Sequence, residues 1–185
     1  MIPMKMKSLV LLIPALLSQS PCGLAAESSA PLLNPLIDYA GHRETVQRVE
    51  SLRESRRLSE ADFLTKAREA GTIVLDARSG PMFQLLHVRG AVNLSFPDFT
   101  EAALATVIPT KDTRVLIYCN NNFLGSPRAM ASKIASTSLN ISTYVALTSY
   151  GYTNVYELGP LLNVKTTVLP LVGSEAANHV GKAAQ

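Results

Sequence analysis

The sequence predicts an α/β fold, a parallel central sheet flanked by helices, with a helical extension at the N-terminus. Three observations carry this reading. Short apolar runs at residues 72–75, 114–118 and 155–158 have strand length and β-branched content. Stretches with helical spacing and helix punctuation separate them, the alternation that parallel strands require. The clearest run ends at Cys119 in a polar, turn-forming stretch. In open parallel sheets the carboxyl ends of the strands are where ligands sit.

The first 25 residues stand apart as an expected signal peptide. Residues 1–7 carry Lys5 and Lys7 and no acid, and residues 9–17 are an unbroken apolar run. That is the n-region and h-region of an export signal. The run is shorter than the roughly 20 apolar residues of a spanning helix and contains Pro14, so no transmembrane anchor is expected. Gly23-Leu24-Ala25 offers a cleavage site. Cys22 raises the alternative of a lipid anchor, but Gln19-Ser20-Pro21 does not match the Leu-Ala-Gly type of triplet that precedes a lipid-bearing cysteine. Ordinary cleavage and a periplasmic location are therefore expected, with secretion and lipid anchoring through Cys22 as alternatives. Cleavage leaves Cys119 as the one thiol of the mature chain.

Residues 26–57 read as a linker and a helical extension. The linker is small, polar and proline-punctuated. Residues 44–57 are charge-rich with Val46, Val49 and Leu52 three apart, a surface helix with a narrow apolar stripe. Its Arg48, Arg53, Arg56 and Arg57 read as a solvated face, with an anion- or partner-binding role as the alternative.

The main domain is expected over residues 58–172. Ser59 opens a helix of capping-box shape that runs through Phe63, Leu64 and Ala67 and stops at Gly71. It delivers directly into the strand at 72–75. A second strand is expected at 91–94, a helix at 99–107, a loop at 109–113 and the central strand at 114–118. Ser126 and Pro127 supply an N-cap and a first-turn proline. They predict a helix with Ala129, Met130, Ala131, Ile134 and Ala135 turned inward. A short helix is expected over 143–150, closed by Gly151 before the strand at 155–158. Residues 173–185 are small and polar, a flexible tail.

Composition narrows the function. Hydrophobic residues at 47 % and charged residues at 17 % exclude a disordered chain. The net charge of +3, lowered by two if the leader is removed, makes no case for nucleic acid. Two cysteines exclude a disulfide-dense scaffold and a four-thiolate metal centre.

Cys119 is the candidate nucleophile. The loop after it, Asn120, Asn121, Asn122, Phe123, Leu124 and Gly125, must turn the chain, and asparagine and glycine tolerate the required dihedrals. Inward-pointing N–H groups would form an anion-binding nest facing the sulfur. The N-terminus of the helix expected from Ser126 adds a positive dipole end. Both favour thiolate over thiol, and Arg128 is a candidate cation for the same pocket. The plain alternative is an inert buried cysteine. The hydrophilic loop and the lack of a second mature thiol argue for chemistry.

These segments resemble the rhodanese family. Thr72-Ile-Val-Leu-Asp-Ala-Arg78 is similar to its strand-plus-Asp-x-Arg signature, and His87-Val-Arg-Gly-Ala-Val-Asn93 to its His-x-x-Gly-Ala-x-Asn turn. Val115-Leu-Ile-Tyr-Cys119 resembles its active-site strand and nucleophile. Gly151-Tyr-Thr-Asn-Val-Tyr-Glu-Leu158 matches its closing motif. The resemblance implies a sulfurtransferase that carries sulfane sulfur as a persulfide on Cys119. The sulfur would come from a small donor and pass to a small-molecule or protein thiol, or to another thiophilic acceptor. It implies no metal or organic cofactor and a chiefly structural role for Asp76, Arg78 and His87.

The chain also departs from the family pattern Cys-x-x-Gly-x-Arg-Ser. Gly125 lies six residues after Cys119 rather than three, the arginine slot holds Pro127, and Arg128 stands one place later. Leu86 replaces the glycine before the family's His, Gly159-Pro160 stands in place of its closing Gly-Gly-x-x-x-Trp, and an insertion is expected around 136–150. Two alternatives to sulfur transfer remain. One is a catalytically silent binding module of the same fold, and the other is phosphoester or arsenate chemistry on Cys119.

Overall fold

A computed structural model describes residues 34–176. The leader, its cleavage site, Cys22, most of the linker and residues 177–185 lie outside the described residues. Asp38 accepts from the Gly41 N–H and caps the first helix, α1 (Tyr39–Arg56), which starts five residues earlier than its apolar stripe suggested. The chain continues through β1 (Arg57–Leu58) and α2 (Glu60–Ala67), whose N-cap Ser59 accepts from the Asp62 N–H. Next come β2 (Ile73–Asp76), α3 (Gly80–Leu85), β3 (His87–Val88), β4 (Val92–Asn93) and α4 (Glu101–Val107). Then follow β5 (Val115–Tyr118), β6 (Phe123–Leu124), α5 (Leu139–Ser149), β7 (Val155–Leu158), β8 (Leu162–Asn163) and β9 (Leu171–Val172).

Five strands form one parallel sheet in the order β1-β7-β5-β2-β4, the architecture expected from the sequence. β5 is central, and all four of its side chains are buried because both sheet faces are covered. Strand alternation divides them. Val115 and Ile117 join Val49 of α1, Leu104 of α4 and Val145 of α5 in one core. Leu116 and Tyr118 join Phe63 of α2, Leu86 and Met130 in the other.

The second core contains a buried charge network. Asp76 ends β2 in register with Tyr118. Arg78 doubles back onto both carboxylate oxygens of Asp76, with Nε to Oδ1 at 2.9 Å and Nη2 to Oδ2 at 2.5 Å. Its other donors reach the carbonyls of Leu86 and Ala129 at 2.7 and 2.8 Å. The Tyr118 hydroxyl donates to Asp76 Oδ2 at 2.6 Å and accepts from the Val88 N–H. Burial opposes the charge on Arg78, and the Asp76 carboxylate more than offsets it, so the guanidinium stays above its ordinary pKa. Burial first, and the same carboxylate second, push the Tyr118 phenol well above its ordinary value.

Two sequence expectations fail here for identifiable reasons. No helix starts at Ser126. Residues 126–130 make a single turn closed by Met130 N–H to Ser126 C=O at 2.7 Å, and the chain then runs irregularly to a 3₁₀ turn at Ala135–Thr137. An α-helix would need the carbonyls of Ala129, Ala131 and Lys133. Arg78, Asn120 and Asn121 take those three carbonyls instead. Ile134 and Ala135, expected inward, are exposed. Most of 136–150, the expected insertion, is α5, which begins four residues before the expected 143. The chain between the turn after Cys119 and this helix is 123–138. Two residues expected in the tail are held by the domain. Ser174 and Glu175 donate their N–H groups to the carbonyls of Gln84 and Leu85.

Replacing Asp76 by Asn leaves Arg78 buried without its counter-charge. The D76N chain should unfold with about 3–5 kcal/mol less free energy, measured by denaturant titration. Tyr118 gives a pH signature. An unfolded tyrosine ionises near ~10, whereas Tyr118 keeps its proton to higher pH in the fold. Above about pH 10 the unfolded chain therefore releases a proton that the native state retains, and stability falls. Y118F should remove its share of that slope, up to ~1.4 kcal/mol per pH unit. At neutral pH it should cost about 1–2 kcal/mol, because the Val88 N–H loses its acceptor.

Candidate active site

Cys119 follows β5 at the carboxyl end of the sheet's central strand, and only 1 % of its surface is exposed. Its sulfur lies 3.5 Å from the Ser138 hydroxyl. Ser138 occupies the N-cap of α5, yet its side chain makes no capping bond and meets the sulfur instead. The helix whose positive end addresses Cys119 is thus α5, reached after the 123–138 segment. This helix is 11 residues long, and its N-terminal end carries the positive pole of its dipole.

The three asparagines act through their side chains more than through a backbone nest. Residues 120–122 form one 3₁₀ turn. Asn122 Oδ1 accepts from the Cys119 N–H at 2.9 Å and from Asn140 Nδ2 at 3.0 Å, and its Nδ2 donates to the carbonyls of Leu158 and Pro160. One side chain therefore fastens the ends of β5, β7 and α5 to each other. Asn121 exchanges two bonds with the Lys133 backbone, both 2.8 Å. Asn120 donates to the Ala131 carbonyl, and its buried Oδ1 has no hydrogen-bond partner among the described residues.

The rest of the expected loop leaves the sulfur. Phe123 is fully buried in the core, and Phe123–Leu124 pairs with Leu162–Asn163 as a separate two-stranded ribbon. Gly125 has φ +91°, and a Cβ there would come within 3.1 Å of Asn163 Oδ1 and 3.2 Å of Val164, so glycine is required by the ribbon's turn. Ser126 is buried, with its hydroxyl on Glu175. Arg128 is exposed and pairs with Glu175 at 2.5 Å. The cation expected for the sulfur pocket is engaged elsewhere. Asp76 and Arg78 are bound in the buried network, and His87 stacks on Phe83 at 3.7 Å with Nδ1 2.7 Å from the Phe83 carbonyl oxygen.

The segment before α5 crosses the carboxyl ends of the strands and leaves a cavity on either side. One, about 380 Å³, lies beyond β2 and β4 between Ser79, Phe96, Asn120, Lys133 and Leu139. The other, about 270 Å³, lies beyond β1 and β7 and reaches Ser138. Ser138 and Asn140 were absent from the sequence reading, which started this helix too late. Ser138-Leu139-Asn140 does carry an N-cap residue, the one signal that could have located them.

A family model, the rhodanese-like domain, matches residues 60–159, just over half of the chain. A comparison with curated proteins finds no match. Among solved structures, a rhodanese from E. coli with anions is 26 % identical, with a TM-score of 0.38 over 56 % of this chain and 99 % of that one. The rhodanese-like domain of the Anabaena protein Alr3790 is 17 % identical, with a TM-score of 0.45 over 70 % and 88 %. The Helicobacter pylori protein hp1203 is 19 % identical, with a TM-score of 0.41 over 71 % and 99 %. The ordered strand motifs, the parallel sheet with its central cysteine and the family match agree, and the chain belongs to the rhodanese-like domain family.

Proposed function

We propose that this protein is a sulfurtransferase that carries sulfane sulfur on Cys119. The observation that supports this most is the cysteine's position between the end of β5 and the N-terminus of α5, with the Ser138 hydroxyl 3.5 Å from its sulfur. A thiolate there attacks the outer sulfur of a donor such as thiosulfate. The new bond joins Cys119 Sγ to that sulfur, the donor's S–S bond breaks, and sulfite leaves with the bonding electrons. The persulfide anion keeps the benefit of the helix end and the Ser138 hydroxyl. A thiolate acceptor or cyanide then attacks the outer sulfur, and Cys119 departs as thiolate. No outside oxidant or reductant is consumed.

At 1 % exposure Cys119 must be uncovered before it reacts. The segment over it is held by the Asn120 and Asn121 bonds to residues 131 and 133, each worth about 1 kcal/mol. The same burial favours a second reading, a silent binding module of this fold. The leader adds a location to the proposal, an exported protein cleaved after Ala25 without lipid on Cys22, which the intact mass of the exported chain checks.

After incubation with thiosulfate or a polysulfide, intact mass should show one added sulfur atom on wild type and none on C119S, with thiocyanate formed on addition of cyanide. A wild-type chain that never gains sulfur, while C119S keeps capture of a partner, supports the binding module instead. N121A removes both bonds to Lys133, about 2 kcal/mol together, and should raise iodoacetamide alkylation of Cys119 by roughly thirtyfold. An unchanged rate would mean that this segment does not gate the thiol.

A further inference from the structure

The smaller cavity beside Ser138 is walled by Arg53 and Arg57, together with Asn121, Ile141 and Glu157. Both arginines precede residue 60 and so come from the extension outside the family match. Glu157 is buried, and Arg53 clasps it through Nε and Nη2 at 2.7–3.0 Å. Arg57 is half-exposed and approaches the same carboxylate only at 3.4 Å. Two guanidinium groups thus share one carboxylate, and the cleft keeps a net charge of +1. Arg57 has no other polar partner among the described residues. Ser138 lines this cavity, and its hydroxyl is the group that meets Cys119 Sγ. The arginine slot of the family's loop is Pro127 here, and neighbouring Arg128 is paired with Glu175.

We propose that Arg57, seated by the Arg53–Glu157 pair, is the anion-binding residue for Cys119, so that an anionic donor approaches the thiol from the α1 side. This deepens the sulfurtransferase reading by naming the donor's chemical class and route, but its test does not depend on sulfur transfer. The geometry provides a cationic, open-sided cleft joined to the thiol through one serine. Such a cleft concentrates small oxyanions such as thiosulfate over neutral donors. Arg53 has the positioning role, because it neutralises Glu157 and leaves Arg57 its surplus charge.

The test compares alkylation of Cys119 by iodoacetate, an anion, with that by iodoacetamide, its neutral analogue. Opening of the overlying segment enters both rates and cancels in their ratio. R57Q should lower the iodoacetate-to-iodoacetamide ratio on the order of fivefold, the size of one partly exposed charge interaction. R57K should restore most of it, and R128Q should leave it at the wild-type value. In turnover with thiosulfate, R57Q should raise KM with little change in kcat. An unchanged ratio in R57Q overturns the proposal, as does a fall in R128Q or in K133Q, which lies on the other cavity. If the ratio responds to R57Q but wild type never takes up sulfur, the anion site stands and the sulfurtransferase reading falls. Thermal melts of each variant separate these outcomes from unfolding, and R57K keeps the test decisive if R57Q melts early.

Discussion

Arg78 is a buried cation with a single carboxylate, and the arrangement of the site follows from how its remaining donors are satisfied. Asp76 takes Nε and Nη2, while the carbonyls of Leu86 and Ala129 complete the set. A cation removed from water without these partners would cost several kcal/mol. The second carbonyl belongs to the segment that crosses Cys119. Neutralising a charge under the sheet thus also fastens down the cover of Cys119, and withdraws from that cover a carbonyl it would need to become a helix.

This constraint explains what could be read from the amino acids alone. β5 and β7 were legible because their apolar runs answer to two buried faces, a demand expressed residue by residue. β2 and α2 were legible through a β-branched run and a serine cap, which are also local. The cysteine was legible because it ends the clearest strand. Ser126-Pro127 carries an equally clear local signal for a helix, and it fails because Arg78, Asn120 and Asn121 compete for the same backbone oxygens. Those competitors lie from eleven to fifty-one residues away. No local pattern announces such a capture. Likewise Arg53 and Arg57 looked like a solvated face because their partner, Glu157, sits a hundred residues further on.

The site is therefore one crevice divided in two. Its floor is the carboxyl edge of a parallel sheet, the position to which this topology assigns ligands. The divider is residues 129–138, with the thiol beneath it. One compartment is lined mainly by apolar groups beyond β2 and β4, the other by guanidinium groups from the extension. Two compartments of opposite character suit the proposed reaction, which has two successive partners, one delivering sulfur and one removing it. The N-terminal helix is then more than a decoration on the fold, since it furnishes a wall that the matched family region lacks.

The segment before α5 also bears on how the chain finds its fold. β5 must close a loop with β7 across residues 119–154. Closure entropy grows only with the logarithm of length, so lengthening by half costs roughly 0.4 kcal/mol. Inserting chain after Cys119 is thermodynamically mild, whereas changing a strand residue on two buried faces is not. The cover of the thiol can accordingly change length at little cost while the sheet beneath stays fixed, provided the Ala129 carbonyl that Arg78 uses is kept.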